Sequence, residues 1–216
     1  MAIQSRFITL EGSEGVGKST LMTSLVKWLE SRGVAVVSTR EPGGTPIADA
    51  VRRVFKSPPI GEEFLPETEA LLVSAARAQH VGKVIRPALK AEKWVVCDRF
   101  ADSTRVYQGL YGGVALNHLE WLIEFSTGGL APDLTFLLDC EVALTAGRIG
   151  GRGLAANDDD AARFDQAGDA NLERLRQGFR RVAGFYPSRF FILDASLPQE
   201  KVFQDACMEL ERRWQI

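Results

Sequence analysis

Gly12-Ser13-Glu14-Gly15-Val16-Gly17-Lys18-Ser19, with Thr20 after it, lies between the apolar run Phe7-Ile8-Thr9-Leu10 and a segment carrying Leu21, Leu25, Val26 and Leu29 at helical spacing. It meets the pattern G-x-x-x-x-G-K-[ST] in the setting that gives the pattern meaning, a strand before and a helix after. Glycines let the backbone turn several N–H groups toward one point, and a helix N-terminus adds its own donors. The loop is therefore suited to phosphate oxygens. The expected contacts run through Gly12, Ser13, Glu14, Gly15, Val16, Gly17 and Thr20. Lys18 should reach the outer phosphates, and Ser19 should coordinate Mg²⁺ beside them. The loop points to a nucleoside triphosphate. It does not say where the phosphate goes, because switches, motors and kinases share it.

Working outward, four more short apolar runs read as strands: Val34 to Ser38, Trp94 to Cys97, Leu134 to Leu138 and Phe190 to Leu193. They are continuous rather than alternating, as expected of a parallel sheet covered on both faces. Between them lie longer segments of helical pattern. One holds Leu71, Leu72, Ala75, Ala76 and Ala78, and another Leu116, Leu119, Leu122 and Ile123. The last shows Val202, Ala206, Leu210 and Trp214 at four-residue steps, with Trp214 expected in a core or interface. The fold class is α/β, a three-layer P-loop NTPase-type domain with a five-stranded parallel sheet. One domain is expected over residues 1–216. Within it, Arg148 to Asp165 (RIGGRGLAANDDDAARFD) is rich in Gly, Asp and Arg and poor in apolar residues, and reads as a short mobile lid.

Composition narrows the partners. The 216 residues are 45% hydrophobic and 25% charged, which suits a folded core and not a disordered chain. With 26 basic and 28 acidic residues, the net charge of -2 offers nothing for coating nucleic acid or holding an anionic membrane. Local arginines can still grip a small anion. Cys97, Cys140 and Cys207 have neither metal-ligand nor redox spacing, and are expected to be small buried hydrophobes in a reducing compartment. No basic-then-apolar leader and no membrane-length apolar run is seen, so the expected location is cytoplasmic.

Loops at the carboxyl ends of parallel strands line the ligand crevice, and here they carry further anion-binding candidates. Arg40 follows the second strand; it is either a phosphate contact or half of a surface ion pair. Asp98 and Arg99 follow the third, placed to organise Mg²⁺ and to hold phosphate, or else to pair with each other. Arg77 sits in the small, apolar stretch SAARAQH and needs a partner if buried. No Asn-Lys-x-Asp stretch of a guanine-specific switch is present.

Five stretches taken together are similar to the bacterial thymidylate kinases, within the nucleoside monophosphate kinase group. They are LEGSEGVGKST, TREPGGTP, SAARAQH, CDRFADSTRVYQG and APDLTFLLD, in the expected order and across nearly the whole chain. TREPGGT and the DRF…DST…YQG block are the most specific. The resemblance implies transfer of the γ-phosphoryl of ATP to thymidine monophosphate, with Mg²⁺, in a homodimer. It implies that Glu14 approaches the acceptor sugar's 3′-hydroxyl, that Arg40 and Arg99 hold the monophosphate, and that Arg77 donates to the thymine carbonyl. Ser103, Thr104 and Gln108 would lie along the pocket, and Tyr107 would pack against the sugar. Lys18, Arg99 and the lid residues Arg148 and Arg152 would favour transfer, with Arg163 also closing over ATP. One position departs from the family. Val73 stands where a phenylalanine often stacks on thymine, so the ring face is lost unless Phe55 or Phe64 supplies one. Two other readings stay open: a kinase for another nucleoside monophosphate, such as deoxyuridine monophosphate, and a nucleotide-binding regulator without catalysis.

Overall fold

A computed structural model describes residues 4–56, 62–144 and 168–216. In chain order these form β1 (Phe7–Glu11), α1 (Lys18–Ser31), β2 (Val36–Arg40), α2 (Pro46–Lys56) and α3 (Pro66–His80). A π-helical turn (Val81–Ile85) leads into α4 (Arg86–Lys90), followed by β3 (Trp94–Asp98), α5 (Ala101–Thr104), a second π-helical turn (Arg105–Tyr111) and α6 (Leu116–Thr127). β4 (Leu134–Asp139), α7 (Gly168–Phe185), β5 (Phe190–Asp194) and α8 (Gln199–Trp214) complete the described chain. The strands form one parallel sheet in the order β2-β3-β1-β4-β5. Of the segment read as a lid, residues 148–165, all lie outside the described residues, Arg148, Arg152 and Arg163 among them.

All five expected strands are present. Four of them run one residue past the expected end, and β2 is displaced, starting at Val36 instead of Val34 and ending at Arg40 instead of Ser38. The cause is local. Gly33 N–H donates to the Glu30 carbonyl and Val34 N–H to the Leu29 carbonyl, so both residues close the end of α1 before the strand can begin. The continuous apolar reading holds best at the centre, where β1, β3 and β4 are buried along nearly their whole length. The outer strands β2 and β5 alternate with exposed positions.

Strand geometry sends successive side chains to opposite faces. Ile8, Leu10, Trp94, Val96, Leu134, Phe136 and Leu138 pack on one side with Leu21, Leu25 and Leu29 of α1 and Val202, Ala206 and Leu210 of α8. Trp214 closes that core edge-on against Trp94, with ring centroids 5.0 Å apart. On the other side Phe7, Val95 and Cys97 meet Phe100 and Ile123, while Leu137 meets Phe179 and Val182 of α7. Thr9 and Thr135 face this second side and satisfy each other at 2.7 Å. Cys97, Cys140 and Cys207 are buried and unpaired with one another. Rigid central strands thus end together, and the loops after β1, β2 and β3 open into one crevice.

Candidate functional site

The loop after β1 is shaped by contact with β4. A Cβ on Gly12, whose φ is 136°, would lie 2.5 Å from the Leu138 carbonyl oxygen, so only glycine fits. Gly17 caps α1 without a side-chain hydrogen bond, and the first turn of α1 holds no acid. Its leading N–H groups are therefore free of an internal cap and aim at the loop's mouth. Lys18 is buried and donates to the carbonyls of Ser13 at 2.7 Å and Gly12 at 3.2 Å. Its Nζ lies 3.8 Å from Glu14. Burial, with the Arg99 charge second, lowers the Lys18 pKa.

Glu14 and Arg99 form an ion pair between the first loop and the third. Burial alone would raise the Glu14 pKa, but the charges of Arg99 and Lys18 outweigh it and bring it below the usual carboxylate value. Arg99 has φ 67°, a left-handed conformation uncommon for a residue with a side chain. Several contacts hold it there. Its N–H donates to the Leu10 carbonyl at 2.9 Å and its Nη1 to Ser103 Oγ at 3.1 Å. The next N–H, of Phe100, donates to Glu11 Oε1 at 2.8 Å.

Three adjoining clefts share these walls. The middle one joins Lys18, Ser19, Arg40, Asp98, Arg99 and Glu14. Asp98 Oδ1 is buried there with no hydrogen-bond partner among the described residues, which fits a hard cation or its bound water. No cluster of three or more His, Cys, Asp or Glu side chains able to hold a metal occurs among the described residues. A cation at this place would need phosphate oxygens to complete its shell.

The second cleft is largely apolar and brings together Val73, Arg77, Ser103, Thr104, Tyr107 and Gln108, with Glu14 and Arg99 at its phosphate end. Arg77 is fully enclosed. Its Nε donates to Glu41 Oε2 and its Nη2 to Thr104 Oγ1, both at 2.8 Å, while Nη1 is buried without a partner among the described residues. Gln108 donates to Glu69 at 3.1 Å. Phe55 of α2 lines this cleft together with Val73 of α3. Phe64 does not line it, but stacks behind Phe55 with centroids 6.3 Å apart and planes at 22°. The third cleft lies beyond Gly15, Val16, Gly17 and Thr20, bounded by Leu197 of the β5–α8 connection and by Gln199 and Phe203 of α8.

The sequence of the thymidylate kinase family matches residues 10–206 of this chain. A thymidylate kinase of Alkalilimnicola ehrlichii is 41% identical over 217 residues, covering 98% of this chain and 96% of the relative. One of Pseudomonas fluorescens strain SBW25 is 46% identical over 199 residues, covering 92% and 91%. One of Chromohalobacter salexigens is 42% identical over 208 residues, covering 96% of each. The chain belongs to the thymidylate kinase family.

Three side chains in or beside this family member's clefts escaped the reading of the sequence. Glu11 ends β1 with no exposure to solvent and accepts from Phe100 N–H, Ser103 N–H and Ser103 Oγ. Burial first, and the charge of Asp102 second, hold its pKa up at about 7, against the opposing pull of Arg99 and Ser103. Arg52 of α2 is buried, donates to the Pro42 carbonyl at 2.8 Å and lines both the middle and the apolar cleft. Its signal was an arginine four residues after the buried Ala48, on the inward face of an amphipathic helix. Glu41, within TREPGG, is 4% exposed and binds Arg77. Asp102, by contrast, points away from substrate-sized space. It is gripped by Arg189 at 2.7 Å and Arg105 at 2.9 Å, and ties α5 to the start of β5.

Proposed function

We propose that this protein transfers the γ-phosphoryl group of ATP to thymidine monophosphate, giving thymidine diphosphate and ADP. The observation that carries this reading is the junction of two clefts. A cationic cleft floored by Lys18, Arg40 and Arg99 runs into an apolar one at whose wall a buried guanidinium keeps one N–H group unspent. The acceptor phosphate belongs in the first and its base in the second. A pyrimidine carbonyl meets the free Arg77 donor, and the surrounding apolar wall suits a methyl group.

ATP lies along Gly12 to Thr20, with its base toward the third cleft. Ser19 and Asp98 hold the Mg²⁺ ion, which neutralises phosphate charge when bound. The acceptor phosphate is already anionic near neutral pH, so it needs alignment and charge neutralisation more than a base. Arg40 and Arg99 supply both. Lys18 moves from the loop carbonyls onto donor phosphate oxygens, and Glu14, set by its pairing with Arg99, accepts from the sugar hydroxyl. Ser103 and Tyr107 bound the sugar, and Thr104 and Gln108 face the base. Phe55 takes over the ring surface that Val73 lacks.

Two further readings accompany this one. The stacked pair Trp121 and Phe125 on the outer side of α6 is 64% and 73% exposed. We assign it to contact with a second copy of the chain, as the family resemblance implies. Sedimentation of Trp121→Glu beside the parent tests this: a monomer is expected, and an unchanged dimer refutes it. Among the described residues no helix is long and apolar enough to cross a membrane, and three cysteines without a disulfide suit a reducing, cytoplasmic setting. The substrate reading itself is tested by turnover of each nucleoside monophosphate with MgATP. Preference for thymidine monophosphate is expected, and preference for deoxyuridine monophosphate or another acceptor removes it.

A further inference from the structure

Resting on the thymidylate kinase reading, we infer that Glu41 and His80 are positioning residues that set base selection by locking the Arg77 guanidinium in one orientation. His80 lines none of the three clefts, whereas Glu41 lines the apolar one beside Arg77. The lock is a chain of buried hydrogen bonds across four elements. Thr39 at the end of β2 meets His80 Nε2 at 2.7 Å, and His80 Nδ1 meets Glu41 Oε1 at 3.0 Å. The other Glu41 oxygen accepts from Arg77 Nε at 2.8 Å, and Arg77 Nη2 donates to Thr104 of α5 at 2.8 Å. His80 has no exposure, Arg77 has 2% and Glu41 has 4%.

The donor count fixes the roles. A carboxylate only accepts, so Nδ1 of His80 carries a proton and donates to Glu41. In the neutral ring Nε2 then accepts from the Thr39 hydroxyl. Both Glu41 oxygens are occupied, one by the ring and one by the guanidinium, so the carboxylate cannot rotate without breaking a bond. Arg77 is held on two sides, at Nε and Nη2, and its plane lies over Phe100, 5.3 Å from the ring centroid. Among the described residues that leaves Nη1 as the buried guanidinium nitrogen with no hydrogen-bond partner, on a side chain that lines the apolar cleft. A donor fixed there accepts a pyrimidine with a carbonyl at that edge and opposes one with an amino group, because two donors would face each other in a buried place.

The stretch Thr39 to Gly44 then makes physical sense as one unit. A Cβ on Gly44, whose φ is 85°, would lie 2.6 Å from His80 Cδ2 and 2.7 Å from Thr39 Oγ1. Gly44 is the floor on which the Thr39–His80 hydrogen bond rests. Thr39 and Glu41 are the two ends that hold the ring, and the ring holds the carboxylate square to Arg77.

The experiment compares kcat and KM for thymidine monophosphate and for deoxycytidine monophosphate, and KM for ATP, in the parent, Glu41→Gln, His80→Ala and His80→Asn. Glu41→Gln should raise KM for thymidine monophosphate about ten- to a hundredfold, and lower the preference over deoxycytidine monophosphate by a similar factor, with ATP KM unchanged. His80→Ala should act in the same direction by less. His80→Asn, whose amide can still donate to Glu41, should recover most of that loss. If Glu41→Gln does not fold, the two His80 variants decide. An unchanged preference between the two acceptors in folded Glu41→Gln, or in His80→Ala, overturns the inference, as does an effect confined to ATP KM or shared equally by both acceptors. A parent that ignores thymidine monophosphate removes the substrate reading and this inference with it.

Discussion

Replacing Glu11 with glutamine should remove a pH dependence of folding that the parent owes to a single buried carboxyl. Glu11 has no exposure and sits at the end of the central strand β1. Burial, then the neighbouring Asp102 charge, move its pKa from 4.5 to about 7. Between those values the folded protein keeps a proton that the unfolded chain has released. Stability from this group is therefore fully present below pH 4.5 and is lost as pH rises through about 7. At ~1.4 kcal/mol per pH unit, the displacement corresponds to about 3 kcal/mol. Glutamine keeps the shape, and its carbonyl can still accept from Phe100 and Ser103, but it does not titrate. Urea unfolding of parent and Glu11→Gln at matched pH, from pH ~4 to ~8, gives a difference in stability in which the other carboxylates largely cancel. That difference should fall by about 3 kcal/mol across the window. A flat difference would refute the reasoning. A difference that grows with pH would mean that Arg99 stabilises the ionised form more than burial penalises it.

Four other outcomes follow from the same geometry. Lys18→Ala should lower kcat by at least about a hundredfold while the protein stays folded, since it removes a preorganised charge from the transferring phosphates; stopped-assay ADP formation reads this. Phe55→Ala should weaken binding of thymidine monophosphate by roughly two- to tenfold, the worth of one aromatic contact, and Val73→Phe in that background should restore part of it, by calorimetry. Gly44→Ala should cost about 2 kcal/mol or more in denaturant unfolding, because it adds a side chain at positive φ against the Thr39–His80 pair. Asp139→Asn should cost about 1–3 kcal/mol in the same assay. Asp139, whose carboxyl burial alone would raise but Arg176 and Arg180 together hold below its ordinary value, anchors α7 to β4.

The sheet was legible because each central strand is a short, mostly apolar run, broken only by Thr9 in β1 and Thr135 in β4 before the acidic residue that ends it. The phosphate loop was legible because its spacing is local: Gly12, Gly17, Lys18 and Ser19 lie within one turn of chain. Partnerships between distant segments were not. Glu14 meets Arg99 across 85 residues, and Glu11 meets Phe100 across 89. No spacing rule links such positions. In the sequence Glu11 only ends an apolar run, Glu41 is one residue of TREPGGTP, and Arg52 belongs to none of the motifs. Only the folded sheet, which ends β1, β2 and β3 at the same edge, makes them neighbours. His80 is the last residue of SAARAQH; in the structure it reaches Arg77 through Glu41, a connection that needs α3 to lie against the loop after β2.

The most direct test of the account is ADP formation by the purified protein with MgATP and each nucleoside monophosphate in turn, beside Lys18→Ala. The account predicts rapid turnover with thymidine monophosphate, little with deoxyuridine, deoxycytidine or purine monophosphates, and loss of turnover without Lys18. Equal or greater Lys18-dependent turnover with another acceptor would contradict the assignment of the apolar cleft to thymine. ATP binding with no acceptor-dependent turnover at all would contradict the kinase.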